Sequence, residues 1–169
     1  MEVVEFGSLT DEHRQALEGD ERDPFDVAGI TLQFRSKERH VGLQDDSGRL
    51  VASTGIVVVD VEVDGERFPV VGLGGVIVSA PYRGRGLARR VVEEALARAR
   101  QLGPRFAMLF CHEDRAGLYR RLGFVDLPGE ILVEQPSGHA TMTQRTMWLA
   151  LHGDASWPPG KVIVHSLPF

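Results

Sequence analysis

The sequence has 169 residues, a mass of 18.6 kDa, 43% apolar residues, 25% charged residues and a net charge of -5, which suits one soluble domain with a substantial core. No stretch approaches the roughly eighteen apolar residues of a membrane-spanning helix, and the N-terminus lacks the features of a signal peptide, so we expect a cytoplasmic protein without membrane contact. The acidic balance argues against a nucleic-acid partner, and the single cysteine, Cys111, excludes an internal disulfide.

The first half of the chain predicts mainly strands. Glu2–Phe6 predicts a strand. The segment that follows predicts a helix, because Ser8 or Thr10 can serve as its N-cap and acidic residues occupy its first turn. An acidic loop, Asp20–Asp26, comes next. Three strand-like runs then span 39–45, 49–63 and 66–78, and the turn residues between them predict an antiparallel meander.

The second half alternates between helices and strands. Apolar residues at helical spacing predict a helix over 87–103, and the apolar run Phe106–Cys111 predicts a central strand parallel to the strand before that helix. A short helix is predicted with Asp114 as N-cap and Gly123 as its left-handed end. Two last strands are predicted at 130–135 and 141–151. Residues 1–152 are thus interpreted as one mixed α/β domain, and 153–169 as an extended tail of the same domain.

The segment Ser79–Arg90, SAPYRGRGLARR, is a concentration of positive charge in an acidic chain. It lies between a predicted strand and a predicted helix, where unpaired backbone N–H groups and the helix dipole favour an anion and glycines allow its close approach. We therefore expect a phosphate or pyrophosphate here, the alternative being a solvated loop. The sequence matches neither the dinucleotide-binding pattern nor the nucleoside-triphosphate loop.

The pattern R-x-x-G-x-A, formed by Arg83, Gly86 and Ala88, resembles the acyl-CoA signature of the GNAT superfamily of N-acetyltransferases, [Q/R]-x-x-G-x-[G/A]. The segment GLYRRLGF follows about thirty residues later, and the resemblance covers Val71 to Leu127. It implies the α/β (α+β) GNAT fold: a mixed, mostly antiparallel sheet of about six or seven strands with a parallel central pair, flanked by about four helices.

The same resemblance implies roles for individual residues. Backbone groups of Val76, Ile77 and Val78 are expected to pair with the pantetheine arm of acetyl-CoA, and Tyr119 is expected to be the general acid beside the CoA sulfur. No metal is expected. The residues expected to hold the pyrophosphate are Arg83, Gly84, Arg85, Gly86, Leu87, Ala88 and Arg89.

The general base is not evident from the sequence. The tail, with Trp157 and Gly160, resembles the aminoglycoside 2'-N-acetyltransferases and the nodulation-factor N-acyltransferases, and the former carry a glutamate where this chain has Gly74. His112 and Glu113 are alternative bases, directly or through water. Trp157 is expected either to clamp the tail to the sheet or to wall the acceptor pocket.

The sequence therefore predicts an acetyl-CoA-dependent N-acetyltransferase that acts directly on a primary amine of a small molecule. Carboxylates of the acidic loop are expected to favour a cationic amine. The alternative is a non-catalytic acyl-CoA-binding or regulatory module of the same fold. A toxin that acetylates charged tRNA would need a basic surface, which an acidic chain does not offer. A homodimer is an open alternative to a monomer.

Overall fold

The computed structural model describes residues 1–169, which form ten strands, three α-helices and two short 3₁₀ turns. None of the helices has the length and apolar character needed to cross a membrane. In chain order the elements are β1 (Glu2–Phe6), α1 (Asp11–Glu18), β2 (Arg39–Gln44), β3 (Leu50–Val63), β4 (Glu66–Val78), α2 (Leu87–Ala99), β5 (Phe106–Cys111), α3 (Ala116–Arg121), β6 (Val125–Asp126), β7 (Ile131–Gln135), β8 (Gly138–Thr141), β9 (Arg145–Ala150) and β10 (Val162–Val164).

All ten strands belong to one mixed sheet. Its main path runs β6-β9-β5-β4-β3-β10-β7-β8, while β2 pairs with β3 and β1 with β2. Only β4–β5 and β7–β10 are parallel pairs. The predicted mixed, mostly antiparallel sheet with a parallel central pair is therefore confirmed, with more strands and fewer helices than the predicted numbers. The strands missed by sequence reasoning are short, and their apolar residues are too few to show a clear alternation.

The two faces of the sheet are covered differently. Helix α2 connects β4 to the parallel strand β5 and packs its apolar stripe, including Val91 and Ala95, into a core of 21 buried residues. A second core of 14 buried residues lies on the opposite face of the sheet. It includes the aromatic side chain of Phe169, and Trp157 of the C-terminal segment packs against it. The spacing of apolar residues that predicted helix α2 thus also identifies the face of the helix that is buried.

The segment 153–169 is extended, and its strand β10 lies within the sheet. β10 pairs antiparallel with β3 and parallel with β7. Trp157 packs against Phe68 and Phe106, with ring centroids 5.5 and 5.1 Å apart. Trp157 is expected from the sequence either to clamp the tail to the sheet or to wall the acceptor pocket. The structure favours the first role, because the ring contacts this aromatic cluster and does not line the cavity between β4 and β5.

The helix ends distinguish correct from incorrect cap predictions. Thr10, rather than Ser8, caps α1, since its Oγ accepts a hydrogen bond from the backbone N–H of His13 at 3.1 Å. The prediction that Asp114 is an N-cap is wrong. Asp114 lies inside a 3₁₀ turn and pairs with Arg115, so α3 starts without a side-chain cap. Gly123 follows α3 with a φ of 93°, as predicted.

Candidate active site

Strands β4 and β5 pair only briefly and then separate. Their ladder joins Val71–Leu73 to Ala107–Leu109. Beyond it β4 bulges: two residues, Gly75 and Val76, lie opposite the single residue Thr54 of β3, and Gly75 has a φ of 65°. A bulge bends its strand away from its neighbour, so the parallel pair opens and leaves unoccupied space between the strands.

A cavity of about 230 Å³ lies at this opening. It is bounded by the bulge of β4, the end of β5, helix α3 and the loop that follows α1, and Phe25, Phe34, Phe110 and Phe169 give it largely aromatic walls. The lining residues are Pro24, Phe25, Asp26, Val27, Phe34, Lys37, Leu73, Gly74, Gly75, Val76, Phe110, Cys111, His112, Arg115, Tyr119, Gln144 and Phe169.

The arginine- and glycine-rich segment joins the end of β4 to the start of α2. Gly84 and Gly86 have φ values of 76° and 75°, a conformation that favours glycine, and a Cβ atom at either would meet nothing within 4 Å. No side chain caps α2 at Gly86. The first backbone N–H groups of this helix therefore have no side-chain cap, which suits an anion.

The arginines of this segment have partners within the protein. The guanidinium of Arg83 donates to the carbonyl of Val78 at 3.0 Å and pairs with Glu21 at 2.7 Å. Arg89 pairs with Glu93 at 2.8 Å. The guanidinium groups of Arg85 and Arg90 donate to the carbonyl oxygens of Pro81 and Met1. The positive charge is thus partly balanced without a ligand, and an anion bound here would depend more on the backbone N–H groups than the sequence alone indicated.

Of the expected pantetheine contacts, Val76 lies in the cavity wall, whereas the side chain of Ile77 points into a small core beneath α1 with Leu17 and Leu50. Val78 is half-buried at the end of β4. The side chains of neighbouring residues therefore point in different directions along this strand, and any contact common to all three residues must come from the backbone.

Tyr119 lies on α3 with its side chain in the cavity wall. The residue is 7% exposed, its ring packs edge-on against Phe124, and its hydroxyl makes no hydrogen bond within the protein. Burial, with a smaller effect of the nearby Cys111, raises the pKa of Tyr119 well above its usual value. The hydroxyl is therefore protonated throughout the physiological range and can donate a hydrogen bond into the cavity.

The two alternative bases are placed differently. His112 lines the cavity, and its Nε2 lies 3.2 Å from the side-chain nitrogen of Gln144. Glu113 does not line the cavity and forms an ion pair with Arg145, whose Nε lies 2.8 Å from its carboxylate. Of the two, only His112 is brought to the site by the fold.

The position of Gly74 leaves no room for the glutamate of the aminoglycoside enzymes. A Cβ atom at Gly74 would lie 2.4 Å from the backbone carbon and 2.6 Å from the backbone oxygen of Phe169. The ring of Phe169 fills the neighbouring space beside Gly72 and packs on Phe110 with a centroid distance of 4.9 Å. Phe169 occupies the space into which a side chain at Gly74 would extend.

Sequence reasoning missed Lys37. Its side chain lies across β3 and β4, with Cγ 2.5 Å from the position that a Cβ of Gly55 would take and Nζ 3.4 Å from the corresponding position at Gly75. Burial, with a smaller effect of Arg35, lowers the pKa of Lys37 to about 8. A single lysine outside any motif gives no signal in the sequence that would have identified it.

Two histidines that lie far apart in the sequence do come together, although their spacing predicted no metal site. His139, His165 and Glu134 have potential ligand atoms within 4.8 Å of one another. Both ring nitrogens of His165 already have neighbours: Glu62 lies 2.8 Å from Nε2, and the guanidinium of Arg67 lies 3.1 Å from Nδ1. A guanidinium beside a ligand nitrogen repels a metal cation, so this cluster is better suited to hydrogen bonds than to a metal ion.

Comparisons with known proteins agree with this fold. A GNAT acetyltransferase domain family matches residues 15–125. A GNAT family N-acetyltransferase from Escherichia coli, solved in complex with CoA, has a TM-score of 0.59 and 22% identity, covering 96% of this chain and 89% of its own. N-acetylglutamate synthase from Neisseria gonorrhoeae, complexed with coenzyme A and N-acetyl-glutamate, has a TM-score of 0.60 and 15% identity, covering 90% of this chain.

The chain spans 36% of that synthase and 22% of a GCN5-related N-acetyltransferase from Kribbella flavida, which is 30% identical over 52% of this chain with a TM-score of 0.46. No curated protein sequence shows significant similarity to the chain. The family match covers more than half of the residues, including the segment Ser79–Arg90 and Tyr119. The chain therefore belongs to the GNAT family of acetyltransferases.

Proposed function

We propose that the protein transfers an acetyl group from acetyl-CoA directly to a primary amine of a small molecule. The observation that carries the proposal is the cavity where β4 and β5 separate, because the side chain of Tyr119 lines it and because β4, which forms one of its walls, leads through Ser79–Gly86 to the uncapped start of α2. Its volume of about 230 Å³ and its aromatic walls suit part of a small molecule.

On the donor side, the backbone N–H groups of Gly84 to Arg89 would bind the pyrophosphate of acetyl-CoA, with Arg83 beside them. The backbone at Val76, Ile77 and Val78 would pair with the pantetheine arm, which would enter the opening between the strands. The bulge at Gly75 and Val76 turns backbone groups out of the ladder with β3, so they are available to a ligand. The thioester would then lie near the floor of the cavity.

On the acceptor side, an amine of pKa about 10 must lose a proton before it attacks the thioester carbonyl. His112 can accept this proton, directly or through water, because it is the alternative base that lines the cavity. The bond from the amine nitrogen to the acetyl carbon forms, the carbon–sulfur bond breaks, and Tyr119 donates to the departing thiolate of CoA. The raised pKa of Tyr119 keeps this donor protonated.

The test is thiol release from acetyl-CoA in the presence of a panel of small amines, together with calorimetric binding of CoA. We expect CoA binding and amine-dependent thiol release that falls by about a hundredfold in Tyr119→Phe. CoA binding without turnover of any amine, and no effect of the substitution, would instead identify a non-catalytic module. A protein that does not bind CoA contradicts the proposal altogether.

A further inference from the structure

Lys37 places an ammonium at the wall of the acceptor pocket, and no side chain of the protein pairs with it. Building on the proposed function, we propose that the acceptor carries a carboxylate beside its amine and that the Lys37 ammonium binds this carboxylate. The substrate class is then amino acids, or similar amines, with an apolar side chain.

The fold holds the side chain of Lys37 in a groove. The absence of side chains at Gly55 and Gly74 leaves a groove across two strands, in which the lysine stem lies: Cγ, Cβ and Cδ lie 2.5–2.9 Å from the position of a Cβ at Gly55, and Cε lies 3.1 Å from that at Gly74. The groove ends at the bulge of β4, with Nζ beside Gly75. The ammonium is therefore held at the wall of the cavity.

The ammonium of Lys37 has no side-chain partner. No side chain forms a hydrogen bond or a salt bridge with it, and the neighbouring side-chain charge, that of Arg35, has the same sign. Arg35 itself pairs with Glu38. Leaving an ammonium half-buried and unpaired is costly, and a ligand carboxylate would remove the cost while forming a charge-assisted hydrogen bond.

The side chains that line the pocket include more basic than acidic groups. Lys37 and Arg115 are the basic ones, Arg115 being paired with Asp114, and Asp26, which is exposed, is the one acid. Two other acids of the same loop have internal partners. Glu21 pairs with Arg83, and the carboxylate of Asp23 accepts hydrogen bonds from the backbone N–H groups of Val27 and Ala28. This loop therefore offers less negative charge to a cationic acceptor than its sequence suggested.

The remaining walls describe the rest of the acceptor. Phe25, Phe34, Phe110 and Phe169 line the same cavity as Lys37 and present apolar surface. An amine with a carboxylate on the adjacent carbon and an apolar side chain would place its charge on Lys37 and its side chain on these rings. Its amine would then lie near the bulge, where the thioester is proposed to enter.

The experiment compares kcat/KM for L-phenylalanine, L-phenylalaninamide and phenethylamine, each expressed per unprotonated amine. We expect the wild-type protein to prefer L-phenylalanine at least tenfold over both analogues. In Lys37→Met this preference should fall towards one, whereas Lys37→Arg should keep it, because a guanidinium also binds a carboxylate. The matched control is Lys161→Met, at the exposed second lysine of the chain, which should behave as wild type.

Two outcomes would overturn the proposal. One is a wild-type protein that acetylates the amines without preference for the carboxylate. The other is an equal loss on all three compounds in Lys37→Met together with inactivity of Lys37→Arg, which would mean that Lys37 takes the proton of the amine and does not bind the carboxylate.

A binding measurement separates this proposal from the proposed function. Calorimetry of L-phenylalanine with the CoA-saturated protein should show at least tenfold weaker binding to Lys37→Met than to wild type. If this difference is found but no amine is acetylated, the transferase function is wrong and the carboxylate site stands. If amines are acetylated and both proteins bind L-phenylalanine equally, the carboxylate site is wrong and the function stands.

Discussion

The contact between Phe169 and the glycines of β4 gives a prediction that can be worked out in detail. A Cβ at Gly72 would lie 2.6–2.8 Å from ring atoms of Phe169, whereas a Cβ at Gly74 would lie 2.4 and 2.6 Å from its backbone carbon and oxygen. Ordinary contacts need about 3.4 Å or more, so neither alanine fits unless Phe169 moves by roughly 1 Å. The two alanines therefore clash with different parts of one residue.

We expect Gly72→Ala and Gly74→Ala each to lower the free energy of unfolding by about 1–3 kcal/mol, the usual cost of overpacking. Phe169 is only 3% exposed and packs on Phe110, so Phe169→Ala should cost about 3–5 kcal/mol by itself. Urea unfolding followed by circular dichroism gives these values, with unchanged m-values showing that the transition remains comparable.

The double variants test the geometry. Removing the Phe169 ring should relieve most of the cost of Gly72→Ala, with a coupling energy of at least about 1 kcal/mol. It should relieve little of the cost of Gly74→Ala, because the backbone of residue 169 stays in place. Equal coupling for both glycines, or a cost below about 0.5 kcal/mol for Gly74→Ala, would refute this account of the contact.

Four further predictions concern the site. Tyr119→Phe should leave the midpoint of thermal unfolding unchanged while thiol release falls, because the hydroxyl has no partner within the protein; a large stability loss would contradict this. Gly86→Asp should abolish CoA binding measured by calorimetry more completely than Gly86→Asn, since both side chains tolerate a positive φ but only aspartate repels phosphate. Lys37→Met should stabilise the protein at pH 7 by at most about 3 kcal/mol in urea unfolding. The pKa of Lys37 is about 8 in the folded protein and 10.5 in the unfolded chain, so this gain in stability should disappear as the pH rises from 8 to 10.5. A gain that does not depend on pH would speak against an ionised Lys37. Burial raises the pKa of Cys111 to about 11, so the folded protein should resist iodoacetamide at pH 8, as mass spectrometry can show, and rapid labelling would mean that the thiol is accessible.

The local structure of the proposed donor side could be predicted because it is encoded by neighbouring residues. The glycines that need a positive φ, the start of α2 and the tyrosine of α3 are each specified by neighbouring residues, and they occur in a recognisable order. The family match to residues 15–125 bears out the GNAT resemblance that rested on them. The roles of the individual residues stay predictions.

The acceptor side could not be predicted, because it is built from contacts between distant segments. Lys37 reaches the cavity only because glycines of two other strands lie beneath it, and Phe169 wedges against Gly74 from the far end of the chain. The internal ion pair between Arg83 and Glu21 likewise depends on the fold. In each case the interaction changes how the residue should be interpreted, and no spacing in the sequence records it.

Strand β10 also bears on how the protein folds. Val162 pairs with Val63 and with Ile131, so the distant strands β3 and β7 must come close to each other before β10 can pair with both. Pairing between such distant segments is slow, since loop-closure entropy is lost before the contacts form. Because Phe169 lies five residues after the end of β10 and forms a wall of the cavity, we expect the pocket to be completed late in folding, after the local hairpin of β3 and β4.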